Sequence, residues 1–148
     1  MTTYAYQITL LLNVLWFGAG FWYFALKRNT AAKLLVPRSA RSSPLFLTLR
    51  TALPFLGGMN FALSLLSAMV LLWQDLFLHS GERAILLIGF AVAHTSQFGV
   101  NVPVARAGGR QGESYWDVLS GPMLFIFVVD AALALLNFGC ALFLAMNR

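Results

Sequence analysis

Four apolar runs set the pattern of this chain: Tyr6–Leu26, Thr51–Trp73, Ala84–Ala105 and Val118–Met146, separated by shorter polar stretches. Each is long enough to supply the roughly 20 mostly apolar residues that an α-helix needs to cover about 30 Å of hydrocarbon. The runs are too long for strands, and none alternates polar and apolar positions as a membrane barrel does. In lipid a spanning segment must satisfy its backbone groups internally, which again selects helix. The pattern therefore predicts an all-α polytopic membrane protein: one domain over residues 1–148, arranged as a four-transmembrane-helix up-down bundle.

Residue punctuation refines the ends of the runs. Ser120-Gly121-Pro122 reads as a helix cap with proline in the first turn, and Gly108-Gly109 breaks the chain after the third run. Pro54 is expected to kink the second run and Pro103 to end or bend the third. Trp22 with Tyr23, Trp73, and Tyr115 with Trp116 fall where interfacial aromatic residues belong. Small residues at Gly58 and Ala62, and at Gly89 and Ala93, have the spacing of close helix contacts.

Composition strengthens the membrane reading. Hydrophobic residues make up 59% of the 148 and charged residues 10%, against roughly 45–50% and about 25% in soluble proteins. A soluble domain of this size leaves much of its surface wet and has nowhere to hide so many apolar side chains. The formal charge of +5 does not indicate nucleic acid, because the basic residues sit in the gaps between runs. Lys27, Arg28, Lys33, Arg38, Arg41 and Arg50 fall in one gap and Arg106 and Arg110 in another, against Arg83 and Arg148 elsewhere. By the positive-inside rule, loops 27–50 and 106–117 are predicted cytoplasmic and both termini outside, in an inner (plasma) membrane. The first run lacks a basic segment before it and is followed by Lys27-Arg28, which reads as a retained span, not a cleaved signal. The basic loop should attract anionic membrane lipid, and the glycine-rich Arg106–Glu113 segment reads as a flexible turn, not a phosphate loop.

The candidate chemistry lies inside the runs, where polar groups are costly and usually face the bundle interior. His94, Gln97 and Asn101 share one helical face, as do Asn60, Ser64 and Ser67. Asp130, Ala134, Asn137 and Ala141 form a third stripe, and Asn13 and Gly20 a fourth. His94 lies as far before Ala105 as Asp130 lies after Leu119. On antiparallel neighbours this places the two at one depth, with Asn13 and Asn60 within a turn of it.

Asp130 is the sharpest feature, since a lone carboxylate at the bilayer centre costs roughly 2.5–3.5 kcal/mol on insertion scales. His94 is its natural partner, and such a pair holds a proton near neutral pH. The candidate catalytic residues are therefore His94 and Asp130, and the candidate ligand-binding residues Asn13, Asn60, Gln97, Asn101 and Asn137. The competing reading is a purely structural interhelical hydrogen bond, a class averaging about 0.6 kcal/mol.

No metal site is expected: Asp130 is the sole acid within the runs, and the single cysteine, Cys140, has no partner. His79 belongs to a loop, so bis-histidine haem ligation has only half its ligands, and the sequence identifies no cofactor. The run Asn101-Val102-Pro103-Val104 with Trp116 resembles the Asn-x-Pro helix ending of small four-helix oxygenase-like membrane proteins. The likeness covers only the stretch from Asn101 to Trp116. It lacks the basic residue expected soon after the tryptophan, so no residue role is carried over.

The function expected is binding or transforming a hydrophobic small molecule, such as a lipid, quinone or aromatic metabolite, in a polar midplane pocket. The alternatives are an accessory subunit of a larger membrane complex and a small proton-coupled transporter acting as an oligomer. Partners expected are membrane lipids, a hydrophobic small molecule, and a further copy or complex subunit.

Overall fold

A computed structural model describes residues 2–110 and 116–147. Expectations about Glu113, Tyr115 and Arg148 lie outside the described residues. Within them every regular element is helical: α1 (Thr2–Phe21), α2 (Arg28–Leu35), α3 (Pro44–Leu72), α4 (Ser80–Arg106) and α5 (Gly121–Met146). A π-helical turn, Trp22–Leu26, extends α1, and 3-10 turns occupy Arg38–Ala40 and Gln74–Leu76. Four helical stretches are long and apolar enough to cross a membrane: Tyr4–Leu26, Pro44–Leu72, Ser80–Arg106 and Gly121–Met146. The chain is an integral, multi-pass helical membrane protein.

Helix boundaries follow local chemistry. At 29 residues, α3 is about 43 Å long at 1.5 Å per residue, more than the hydrocarbon needs. It starts well before the predicted Thr51 because Ser43 caps it. The Ser43 hydroxyl accepts the Leu45 N–H at 3.2 Å, and Pro44 occupies the first helical position, where its missing N–H costs nothing. Ser120 and Gly121-Pro122 open α5 as expected.

Pro103 does not end α4, which runs to Arg106. The break comes where the two glycines allow it. Gly108 and Gly109 have φ of 89° and 92°, and the Gly108 and Gly109 N–H groups bond back to Ala105 and Val104 O at 3.1 and 2.9 Å. That paired return is a Schellman cap, which terminates a helix without wasting its last carbonyls.

The chain divides into two compact units, Met1–Leu12 with Met69–Arg148, and Asn13–Ala68. In the second unit α1 and α3 run antiparallel. Ser64 Oγ donates to Val14 O at 2.9 Å, Phe21 and Phe61 rings lie 4.9 Å apart, and Gly57 abuts Ala25. A Cβ on Gly20 would lie 2.5 Å from Asn60 Oδ1, so this glycine is what lets Asn60 approach. Among the described residues of the chain, the glycines of the Gly58/Ala62 and Gly89/Ala93 pairs make no close contact: a Cβ on Gly58 or Gly89 would meet nothing within 4 Å, and both residues are exposed. The neighbouring Gly57 carries the contact instead, since one residue of rotation moves a side chain about 100° around the helix.

The polar stretch expected as a loop is itself folded. Ala31 and Ala32 of α2 bury against Leu53, with Tyr23, Phe24, Leu35, Phe46 and Leu49 packed around them. Arg41 fixes the end of α2, donating from Nε to Val36 O at 3.1 Å and from Nη2 to Lys33 O at 2.7 Å. Two otherwise unsatisfied carbonyls are thereby bonded to a charged donor, a contact class typically contributing about 1.5–3 kcal/mol. Arg41→Ala is expected to leave the four long helices intact and to speed amide exchange across 28–41 at least tenfold. Unchanged exchange there would show that Arg41 is dispensable.

In the first unit the start of α1, the end of α3, the start of α4 and the end of α5 each contribute buried residues, among them Tyr6, Val70, Ala84, Leu87 and Ala141. Gln7 Nε2 donates to Gln74 Oε1 at 3.1 Å, and the Arg83 guanidinium sits 5.3 Å from the centre of the buried Tyr6 ring while donating to Phe77 O. The backbone N–H of His79 donates to Glu82 Oε2 at 3.2 Å, a reciprocal cap at the start of α4.

Candidate functional site

The seam between α4 and α5 is built in layers. His94 Nδ1 lies 3.0 Å from Asp130 Oδ1, and both side chains are buried to 1% exposure or less. The equal depth expected from sequence is thus realised as direct contact. One turn along α4, the Phe98 and Phe127 rings stack at 4.8 Å with an interplanar angle of 21°. Beyond them the Trp116 indole N–H donates to Asn101 Oδ1 at 2.7 Å. The polar pair is therefore separated from this end of the seam by an aromatic layer and then by a second polar contact.

The remaining expected site residues divide between the units. Asn101 and Asn137 are buried in the first, their amides bonded to Gln97 O at 2.9 Å and Leu133 O at 2.8 Å, and Gln97 is half-buried. Ala134 and Ala141 face inward with Asp130 and Asn137, as the stripe predicts. Asn13 and Asn60 are buried in the second unit, where Asn60 Nδ2 donates to Leu56 O at 2.9 Å. Ser67 is buried and Ser64 half-buried on the same face.

Three contributors are not apparent from hydropathy alone. Trp116, placed by the sequence as an interfacial anchor, is the partner of Asn101. Phe98 and Phe127 follow from the spacing, lying at i+4 from His94 and i−3 from Asp130 on their respective helices.

The fixed relation of Nδ1 to a carboxylate determines what the pair can do. With Asp130 ionised it accepts the Nδ1 proton, which makes Nε2 the basic nitrogen of the ring and locks its orientation. The arrangement thus suits a general acid–base group held in one tautomer, or a stored proton. Among the described residues no group of three or more His, Cys, Asp or Glu side chains is placed to hold a metal ion.

Gly109 lets the segment after α4 fold back closely. A Cβ there would lie 3.0 Å from Leu119 Cβ and 3.1 Å from Asp117 Oδ1, and Val118 N–H donates to Gly109 O at 2.9 Å. The Asp117 carboxylate accepts from the Ser120 side chain, then the Leu119 N–H, with the Arg110 guanidinium 3.4 Å away, and these contacts hold its pKa below the usual carboxylate value. A lowered folded value contributes stability that is present above the unfolded pKa near 3.9 and is lost as pH falls through the lower folded value. The Trp116 resonance of 5-fluorotryptophan-labelled protein is therefore expected to hold constant from neutral pH to about 4 and to shift below it. Asp117→Asn should flatten that acid response; an identical response in the variant would refute the assignment.

A multi-pass helical membrane protein with one buried histidine–aspartate pair is the class that fold and site define. Comparison with known proteins adds no closer relation: no family model fits the sequence, and no curated protein or solved structure is similar to it.

Proposed function

We propose that the protein binds, and with His94 transforms, a hydrophobic small molecule at the polar seam of α4 and α5. A lipid, a quinone or an aromatic metabolite has the required solubility and a polar edge for these side chains. The observation that carries the reading is the His94–Asp130 contact at 3.0 Å, fully buried on two segments of membrane-spanning composition. Intramembrane ionisable residues are rare, and by default they mark binding or proton-transfer sites.

In this reading His94 is the acid–base group and Asp130 its orienter and charge partner. Gln97, Asn101 and Asn137 supply hydrogen bonds on the same faces. Because the pair is closed off, the ligand parts the seam on entry, and the less deeply buried Gln97 and Asn101 meet it first.

The test is native mass spectrometry of the protein in mild detergent, with an absorption spectrum of the same sample. A small molecule retained by the wild type and lost from a folded His94→Ala variant is the expected result. A wild-type chain that carries no ligand, or a ligand that His94→Ala retains fully, would overturn the proposal.

The lysine and arginine bias supports an inner-membrane orientation with loops 27–50 and 106–117 cytoplasmic. Labelling of Ser39→Cys in intact cells by an impermeant thiol reagent would reverse that orientation.

A second reading, a subunit within a larger membrane complex, is favoured by one feature of α3. Pro54, Phe55, Gly58, Met59 and Ala62 line an open groove, with Phe55 and Met59 82% and 68% exposed. Small-residue faces of this kind let a second helix approach closely in lipid. Recovery of a stable, folded chain without any other polypeptide would count against it.

A further inference from the structure

No aspartate or glutamate occurs in the chain before Asp75, whereas Lys27, Arg28, Lys33, Arg38, Arg41 and Arg50 all fall in the second unit. That unit therefore carries six cations and no acid of its own to neutralise them. Topology alone would need only a flexible basic loop. Here the cations are mounted on folded backbone: α2 is packed through Ala31 and Ala32, and its far end is pinned by Arg41.

The six are not equivalent. Arg41 is engaged with two backbone carbonyls, and Lys27 Nζ lies 5.5 Å from the centre of the Trp22 ring. Arg28, Lys33 and Arg38 are exposed. Beside them Leu26, Leu34 and Trp22 are 62%, 48% and 51% exposed. Cations interleaved with exposed apolar side chains, next to the end of a spanning helix, match the chemistry of a phospholipid: phosphate above, acyl chain below.

We propose that α2 and the turn after it form a binding platform for anionic phospholipid. Arg28, Lys33 and Arg38 contact headgroup phosphates, and Leu34 and Trp22 reach into the acyl region. Arg41 is a positioning residue that holds the other cations in place. The platform is independent of the His94–Asp130 reading, and its test leaves that reading untouched.

The experiment is lipid retention by the intact protein from mixed micelles of phosphatidylglycerol and phosphatidylcholine, read by native mass spectrometry. The wild type is expected to hold phosphatidylglycerol selectively. Each basic residue near an anionic surface is worth about fivefold in affinity. Lys33→Gln and Arg38→Gln alone should each weaken phosphatidylglycerol binding about fivefold, and Arg28→Gln/Lys33→Gln/Arg38→Gln about a hundredfold. Phosphatidylcholine retention should not change.

The control is Arg106→Gln/Arg110→Gln, which lowers the net charge without touching the platform. A loss of phosphatidylglycerol in the control equal to that of Lys33→Gln/Arg38→Gln, which removes the same charge, would mean that net charge alone attracts the lipid, and would overturn the proposal. Wild-type protein that does not discriminate between the two lipids would overturn it as well. The single variants change exposed side chains, so the test stands even if the triple variant folds poorly.

Discussion

Replacing Asp130 with alanine is expected to destabilise the first unit and to abolish ligand retention, while replacing both Asp130 and His94 with leucine restores stability but not retention. The first half of this expectation comes from burial. His94 and Asp130 are withdrawn from solvent on both sides of a 3.0 Å contact, so deleting the carboxylate removes the group that fixes the imidazole. In a soluble interior, breaking a buried ion pair costs about 3–5 kcal/mol. In a bilayer the unfolded reference keeps its helices in lipid, where polar side chains find other partners. Measured interhelical polar pairs then average about 0.6 kcal/mol and reach about 1.7. The contact here is fully buried and joins two ionisable side chains, which places the coupling between His94 and Asp130 near the top of that range, at about 1.5 kcal/mol.

The double leucine variant separates stability from function. Two apolar side chains remove both desolvation penalties together, and leucine keeps the branched outline of the aspartate; replacements of this kind are often neutral or stabilising. Reversible unfolding in mixed micelles of the wild type, Asp130→Leu, His94→Leu and the double leucine variant gives the coupling. A value under about 0.3 kcal/mol would show the two residues to be energetically independent. Ligand retained in the double leucine variant would remove His94 from the proposed chemistry.

The helices are legible in the sequence because hydrocarbon thickness is a strong constraint, and all four runs are helices. Their ends are less so, for identifiable reasons. Ser120 and Pro122 stand out as a helix start, yet the similar Ser-Pro start at Ser43 and Pro44, where the serine hydroxyl does cap the helix, does not, because residues 44–50 include Arg50 and lie outside the apolar run. A helix that outgrows the membrane leaves no hydropathy signal where it emerges. For the same reason α2 is hidden: its packing rests on two alanines and on Arg41 bonding to backbone carbonyls, which no periodicity reveals over so short a helix.

In the candidate site, the contact between His94 and Asp130 follows from counting residues to the ends of two joined runs. That count works when helices are antiparallel and the turn is short. The partner of Asn101 does not follow, because Trp116 lies 15 residues along the chain from it, outside any helical spacing that would pair them. Tryptophan near a span end has a ready explanation as an interfacial anchor, and that explanation masks the indole N–H as a donor.

Helix-contact register is the other feature that spacing alone misplaces, and it yields the largest expected effect of a single methyl group. A Cβ added at Gly57 would lie 2.7 Å from both the backbone nitrogen and the Cβ of Ala25. Neither atom can rotate aside, so α1 and α3 must separate locally and forfeit dispersion contacts along the interface. Against this, alanine gains up to about 1 kcal/mol of helix propensity over glycine. Overpacking of a tight contact costs about 1–3 kcal/mol, so Gly57→Ala is expected to be net destabilising by about 1 kcal/mol and Gly57→Leu to prevent the contact altogether. At Gly58 the added group meets nothing within 4 Å. The propensity gain is then unopposed, and Gly58→Ala should hold or raise the midpoint of thermal unfolding. Because the two glycines are adjacent in the same helix, lipid depth and hydrophobicity are matched between the variants, and only the facing atoms differ. Equal midpoints for Gly57→Ala and Gly58→Ala would mean that the second unit does not pack α1 on α3 through Gly57. A loss confined to Gly57 would assign the close approach to that glycine and leave the Gly58 face to lipid or to another helix.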